Sequence, residues 1–142
     1  MSETIVVDAS AIVPALLPTV EANDVRSLFS TADLHAPDLL IPEVTNALWM
    51  QVAHRRFPLP IALERAASLD RLPITSHPSA ALAKTALALA VAMRHAAYDC
   101  FYLALAMALD APLWTADRKL AAAVASAGIP VEIRLLEREV SD

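Results

Sequence analysis

The sequence predicts an α/β protein in which helices cover both faces of a central parallel sheet, a three-layer α/β/α arrangement. Short apolar runs alternate along the chain with longer segments of helical periodicity. No hairpin turn signal joins two runs, and the chain has a single glycine. At 142 residues it fits one domain, residues 1–142, whose core needs no disulfide or metal.

The first strand is predicted at Thr4–Val7, because a β-branched run with apolar residues on both faces is typical of a strand buried in a parallel sheet. The run stops at Asp8, which therefore lies at the carboxyl edge of the sheet, where ligands bind in open α/β folds. Ser10 is placed to cap the next helix, Ser10–Leu17, which Pro14 should interrupt. Taken alone, Asp8 is better explained as a turn or cap residue.

The other elements follow from periodicity and from the positions of proline and glycine. Helices are predicted over residues 20–31, 38–56, 61–72, 79–94, 97–109 and 118–127, and strands over residues 34–36, 74–75, 112–115 and 131–135. The alanine-rich helix over residues 79–94 should be mostly buried. Gly128 caps the last helix, and residues 137–142 form a polar tail.

Composition narrows the class of protein. The net charge of -5 argues against a broad basic surface for nucleic acid, and 5% aromatic residues argue against base-stacking platforms. Cys100 is the only cysteine, which excludes an internal disulfide and a cysteine-based zinc site. Charges interrupt every apolar stretch and no leader precedes the first strand, so we expect a cytoplasmic protein with no membrane segment. The mean hydropathy of +0.49 predicts a buried oligomer or partner surface.

Four acidic side chains are candidates for one site. Asp8 and Asp117 directly follow strands, and Glu43 and Asp99 border apolar helical faces, where a bare carboxylate is costly unless it pairs or binds a cation. Neither Glu43 nor Asp99 has an obvious basic partner at helical spacing. Singly, Asp99 is explained as a helix-dipole residue, Glu43 as a rim residue and Asp117 as an N-cap. Jointly, the four acids indicate an oxygen-rich site for Mg²⁺ or Mn²⁺.

These motifs resemble those of the PIN-domain ribonucleases, and their order and spacing are most similar to the VapC-type toxins of toxin–antitoxin modules. The residues that carry the resemblance are Val6, Val7, Asp8, Ala9 and Ser10, then Glu43, Asn46, Ala47 and Leu48, then the run from Tyr98 to Ala106, and finally Thr115, Ala116 and Asp117. All four acids are present; Cys100 stands where alanine is frequent in the family.

The resemblance implies a PIN-like fold and a metal-dependent endoribonuclease. It implies that the four acids bind Mg²⁺ or Mn²⁺ and that Ser10, Asn46 and Thr115 orient the acids or water. It also implies a homodimer and an antitoxin that covers the site, with the helices between Val20 and Leu72 as its docking region. RNA would be the substrate.

An anionic substrate requires cations near the acids. Arg94, Arg118 and Lys119 flank Asp99 and Asp117 in the sequence and are the candidates for RNA phosphate contacts. Each is singly explained by the ordinary solvation of helix ends. Three further side chains, His54, Arg55 and Arg56, are more remote. The histidines show no metal-ligand spacing, and only His95 is retained as a substrate-contact candidate.

Two interpretations other than a nuclease are compatible with an α/β protein that carries acids at its strand ends. A signalling receiver domain also carries acids at strand ends, but it needs an adjacent acidic pair after the first strand and a lysine at the end of a late strand, and both are missing. A catalytically silent PIN-like module that binds RNA or protein remains open, although the four acids oppose it. Serine-hydrolase chemistry is not indicated, because no Gly-x-Ser-x-Gly element exists.

Overall fold

The computed structural model describes residues 2–17, 27 and 29–136. Its centre is a five-stranded parallel sheet in the order β3-β2-β1-β4-β5. The strands are β1 (Glu3–Val7), β2 (Ala32–Pro37), β3 (Ile74–His77), β4 (Leu113–Thr115) and β5 (Ile133–Leu135). The helices described over their whole length are α1 (Ala9–Leu16), α2 (Leu40–Ala53), α3 (Leu59–Ala67), α4 (Ala83–Met93), α5 (Ala97–Leu109) and α6 (Arg118–Ala127), with 3₁₀ turns at Leu69–Arg71 and Ser79–Leu82.

The strand order divides the helices between two layers. From β1 to β3 the chain moves one way across the sheet, and β4 and β5 are added on the other side of β1. Because parallel crossovers are right-handed, α1, α2 and α3 cover one face and α4, α5 and α6 the other. Accordingly α2 packs against α1 and α3, while α4 packs against α5 and α6. The three-layer prediction is confirmed, and the strand order is not the 2-1-3-4-5 order of receiver-type folds.

The core is built on β1 and α5. Ile5, Val6 and Val7 are at most 2% exposed, which confirms that β1 is covered on both faces. On α5, Leu103 is fully buried, as is Cys100. Helix α5 packs against β1, β2 and β4, so the helix that carries Asp99 is fixed directly on the sheet.

The prediction that the helix over residues 79–94 is mostly buried is wrong. Its first turn is the separate 3₁₀ turn, and within α4 only Ala86 and Leu89 are buried. Leu87 and Val91 are 63% and 72% exposed. The reason is that α4 packs mainly on α5 and α6, which already cover the sheet, so only a narrow stripe of α4 meets the core. Its apolar composition therefore marks an outer surface.

Other boundaries differ more modestly. Helix α2 ends at Ala53, short of the predicted residue 56, because the chain adopts a left-handed conformation at Arg55 (φ 57°). The helix predicted over residues 61–72 is α3 followed by a 3₁₀ turn. Most of the helix predicted over residues 20–31 and the tail 137–142 lie outside the described residues. No described helix has the length and apolar character needed to cross a membrane.

Candidate active site

A cleft opens where the strand order reverses, between β1 and β4. This is the place where open α/β sheets bind ligands. It has a volume of about 550 Å³, and all four predicted acids line it. Asp8 follows β1, Asp117 follows β4, Glu43 lies on α2 and Asp99 on α5. Four separate elements thus bring carboxylates to one cavity, which is called the acidic cleft below.

Hydroxyl groups link the two strand ends. The Ser10 Oγ donates to Oδ1 of Asp8 at 2.6 Å and accepts from the backbone N–H of Ala116 at 2.8 Å. It also lies 3.2 Å from the Thr115 Oγ1, which accepts from the backbone N–H of Asp117 at 3.0 Å. Ser10 and Thr115, two of the three predicted supporting residues, therefore hold the backbone and side chains around the two strand-end acids.

Both strand-end acids also cap helices. The Asp8 Oδ1 accepts from the backbone N–H of Ala11, and the Asp117 Oδ1 accepts from those of Lys119 and Leu120 at 3.0 and 3.1 Å. The prediction that Ser10 caps α1 is wrong, because Asp8 immediately precedes the first helical residue and occupies the N-cap. Asp8 and Asp117 therefore each act as an N-cap and also line the acidic cleft, so the structural role does not exclude a functional one.

The Asp8 carboxyl is buried, with 6% of the residue exposed. Burial raises its pKa to about 6, against the opposing effect of hydrogen bonds from Ser10, Thr115 and Ala11, and the nearby charge of Asp99 raises it further. Ionisation of Asp8 at neutral pH therefore destabilises the folded protein. A cation bound beside it would remove that destabilisation.

Glu43 is held by a tyrosine that the sequence analysis did not single out. The Tyr102 hydroxyl donates to Oε1 of Glu43 at 2.7 Å. Burial raises the pKa of Glu43, and the charge of Asp99 adds to the rise. Burial and the neighbouring Glu43 raise the pKa of Tyr102, so its hydroxyl keeps the proton that it donates. Because Tyr102 follows Asp99 by three residues on α5, helical spacing was the signal that could have found it.

The prediction that Asp99 lacks a basic partner is wrong. The His95 Nε2 lies 2.7 Å from Oδ2 of Asp99, four residues along the chain. His95 immediately precedes the N-cap of α5 and Asp99 is in the first turn, so the contact joins the segment before the helix to its first turn. The four-residue spacing of His95 and Asp99 is the signal in the sequence that indicates this pair. His95 does not line the acidic cleft.

Asn46, the third supporting residue, is placed differently. It is exposed on α2 and lines a neighbouring groove together with Glu43 and Asp99. These two acids thus border both cavities, while Asn46 faces only the groove. An effect of Asn46 on the acidic cleft would have to pass through Glu43 or Asp99.

Within the described part of the chain, the cation that lines the acidic cleft is not one of those predicted. Arg94, Arg118 and Lys119 do not line it, whereas Arg56, which was judged more remote, does. The sequence did contain a signal for Arg56. Glu43 and Gln51 are eight residues apart and share one face of α2, so a cleft that begins at Glu43 extends along this face to the end of the helix, where Arg56 follows.

The donor set fits a hard divalent cation. All four acids offer carboxylate oxygens, the ligands that Mg²⁺ and Mn²⁺ prefer. Among residues 2–17, 27 and 29–136, however, no three His, Cys, Asp or Glu side chains stand close enough together to hold a metal ion. The acids share a cleft without forming a closed ligand cage, so side-chain movement would have to accompany binding.

The comparisons with known proteins give consistent results. A family model described as PIN domain matches residues 5–125. Ribonuclease VapC1 of Mycobacterium tuberculosis is 38% identical over 135 residues, covering 92% of this chain and 96% of that protein.

Two solved structures show the same fold. One is VapC20 of Mycobacterium tuberculosis, a sarcin-ricin-loop-cleaving toxin, with a TM-score of 0.63 at 18% identity over 84% of this chain and 94% of that chain. The other is a toxin–antitoxin complex from Klebsiella pneumoniae, with a TM-score of 0.62 at 17% identity over 94% of this chain and 98% of that chain.

Proposed function

The chain belongs to the PIN-domain family and is related to the VapC ribonucleases, and we propose from this that it is a metal-dependent endoribonuclease, the toxin component of a type II toxin–antitoxin system. The observation that carries the proposal is the convergence of four carboxylates, from four separate elements, on one cleft at the switch point of the sheet. A catalytically silent module is not favoured, because the acids are all present and the matched relative is a ribonuclease.

In this proposal Asp8, Glu43, Asp99 and Asp117 hold Mg²⁺ or Mn²⁺. The bound cation supplies an activated water and stabilises the charge that develops on a phosphodiester. The carboxylates must be ionised to bind it, so the raised pKa of Asp8, about 6, makes cation affinity fall as the pH drops below that value.

The surrounding residues position the acids. Tyr102 holds one oxygen of Glu43, and His95 lies against one oxygen of Asp99. Ser10 donates to Asp8, and the Thr115 hydroxyl holds the backbone of the second strand end. The tethers restrict the rotamers of the acids, which lowers the cost of ordering them around a cation.

A protein nucleophile is not part of the proposal. Cys100 is the only thiol in the chain, it is fully buried, and burial raises its pKa. A protonated thiol inside the core cannot reach a phosphodiester in the cleft. Hydrolysis by water is therefore the reaction that fits the acidic cleft.

We also propose an antitoxin partner and a homodimer, each on a separate apolar surface. Trp49, Leu59 and Leu63, on α2 and α3, are 64%, 54% and 60% exposed, and they lie within the region from residue 20 to 72 named for the antitoxin. Leu87 and Val91 on α4 form the surface for a second copy. A single domain over residues 1–142 and a cytoplasmic location remain predictions.

The test is incubation of the protein with a panel of structured RNAs, with and without Mg²⁺ or Mn²⁺, followed by mapping of the cut ends. We expect discrete cuts that EDTA abolishes and that Asp8→Asn, Asp99→Asn and Asp117→Asn largely remove. Full activity in EDTA would overturn the metal site. Binding of RNA without any cut in either metal would favour the silent module.

A further inference from the structure

Among the residues that the structure describes, four carboxylates and one cation, Arg56, line the acidic cleft. The ion pairs of arginines in the described part of the chain belong to Arg65 and Arg134, and Arg56 is in none of them. Its side chain is exposed and makes no hydrogen bond with another described residue. The Arg56 guanidinium lies beside the four acids of the cleft but forms an ion pair with none of them, so it is available to bind an anionic ligand.

The backbone before Arg56 adopts an uncommon conformation. Arg55 has a φ of 57°, in the left-handed region that favours glycine. The Arg55 N–H donates to the carbonyl of Val52 at 3.0 Å, and the Arg56 N–H donates to that of Gln51 at 2.9 Å. This pair of bonds is the Schellman motif that ends α2. The motif reverses the chain and ties the Arg56 backbone to the last turn of the helix.

The residue that follows Arg56 also fixes this turn. Phe57 lines the acidic cleft and packs against the hydrophobic core. Arg56 is therefore fixed between a hydrogen-bonded helix end and a packed aromatic side chain. Its position at the cleft is set by the fold, while its side chain remains solvent-accessible.

Arg56 lies at the end of the cleft away from the acid of α2. Glu43, Ala47 and Gln51 recur every four residues and line the cleft, so the wall follows the axis of α2. A rise of 1.5 Å per residue puts Gln51 about 12 Å beyond Glu43 along that axis. Arg56, bonded to the Gln51 carbonyl, belongs to this far end. That separation leaves room for a stretch of the polynucleotide backbone between the acids and Arg56.

We propose that Arg56 binds a backbone phosphate of the RNA strand outside the scissile bond, and thereby positions the strand along the acidic cleft. The inference rests on the proposed ribonuclease function. A guanidinium binds a phosphate through two parallel N–H donors, which fixes direction as well as position. An acidic site repels RNA, so a cation at its far end gives the strand one attractive contact without neutralising the carboxylates that bind metal.

The test compares Arg56→Ala with Arg55→Gly. Each removes one positive charge from the same turn, but Arg55 does not line the cleft and glycine suits its left-handed conformation. Cleavage of a short single-stranded RNA is measured at several salt concentrations. Binding of the same RNA, fluorescently labelled, is measured in an Asp99→Asn background. Arg56→Lys and Arg56→Gln separate the charge of the side chain from its bulk, and thermal melting confirms that each variant is folded.

For Arg56→Ala we expect KM to rise about tenfold with kcat changed less than about twofold, and the slope of log affinity against log salt to fall by about 0.7. Arg56→Lys should keep the slope and lose part of the affinity, Arg56→Gln should behave like alanine, and Arg55→Gly should match wild type. Wild-type KM and salt slope in a folded Arg56→Ala protein that still cuts RNA would overturn only the role of Arg56. A wild-type protein that neither binds nor cuts any RNA would overturn the proposed function, and this inference with it.

Discussion

The hydroxyl of Tyr102 donates a 2.7 Å hydrogen bond to Oε1 of Glu43, a residue 59 positions earlier in the chain. The bond connects α5 with α2, which lie on opposite faces of the sheet. It therefore crosses the end of the sheet at the acidic cleft. A residue with no proposed contact to metal thus holds one of the proposed ligands and joins the two helical layers.

Replacing Tyr102 by phenylalanine should lower the free energy of unfolding by about 1 to 2 kcal/mol, because it removes a hydrogen bond to a partly buried carboxylate while keeping the ring. Urea denaturation of the metal-free protein at neutral pH measures the change. Tyr98→Phe is the matched control, since Tyr98 is 70% exposed and should change stability by less than about 0.5 kcal/mol. Equal effects of the two substitutions would show that the bond to Glu43 contributes nothing.

Replacing Asp8 by asparagine should stabilise the metal-free protein at neutral pH and do less at acidic pH. The folded-state pKa of Asp8 is about 6, above its ordinary value of 3.8, so ionising it costs the folded state stability as the pH rises through this interval. Asparagine removes that cost and still caps α1. The free energy of unfolding of Asp8→Asn should exceed that of wild type by about 3 kcal/mol at pH 7.5, and this difference should be about 2 kcal/mol smaller at pH 4.5.

Urea unfolding of both proteins in EDTA at the two pH values measures this difference, and groups that titrate alike in both proteins cancel. A gain that does not change with pH would mean that the Asp8 carboxyl ionises in the fold as it does in the unfolded chain.

The sheet and its strand-end acids could be predicted because both depend on local pattern. A short β-branched apolar run with no polar face is typical of a strand covered on both sides, and parallel strands bring their carboxyl ends to one edge. Asp8 and Asp117 follow such strands, so their convergence needed no knowledge of packing. The sequence offered Asp8 as a turn or cap residue but assigned the cap of α1 to Ser10, because both are good capping residues and sequence alone does not fix the first helical residue.

The remainder of the site depends on tertiary contacts, which helical spacing suggests but does not determine. The bond between Tyr102 and Glu43 exists only because two helical layers meet at the sheet end. Arg56 reaches the cleft through a left-handed turn at Arg55, a conformation that a glycine would have signalled and an arginine does not. The exposure of α4 was missed because apolar composition does not say whether a surface is covered by the same chain or by another.

The exposed stripe of α4 should support a homodimer. Leu87→Asp places a charge in the middle of this stripe, and burying an unpaired charge in an interface is strongly unfavourable. Light scattering should show a dimer for wild type at micromolar concentration and a monomer for the variant. Thr85→Asp, an exposed position on the same helix, is the control for added charge. Wild-type protein that is entirely monomeric would contradict the dimer.

The apolar surface of α2 and α3 should bind the antitoxin. Leu63 is 60% exposed on α3, and Leu63→Asp should abolish co-purification with the protein encoded beside it. Glu64→Gln changes the adjacent exposed side chain and should leave the complex intact. If the complex still forms with Leu63→Asp, the antitoxin does not bind at this surface. Failure of the neighbouring protein to co-purify with wild type would count against an antitoxin partner.

A divalent cation should stabilise the folded protein through the acidic cleft. A ligand that binds only the folded state adds about 2.7 kcal/mol at a hundredfold excess over its dissociation constant. Thermal melts with and without Mn²⁺ or Mg²⁺ should therefore show a clear rise for wild type. Asp99→Asn should lose most of this rise. Because Asp99 also lies against His95, its metal-free melting temperature reflects the loss of that contact, and the cation response is the quantity to compare.

Asp110→Asn is the matched control for that experiment. Asp110 is the C-cap of the same helix, does not line the acidic cleft, and has a left-handed conformation that asparagine also tolerates. It removes the same charge from α5 without touching the proposed ligands, so its cation response should equal that of wild type. If Asp99→Asn shows the full Mn²⁺-induced rise as well, Asp99 does not bind the metal. A loss in both variants would instead indicate a general effect of the protein's negative charge.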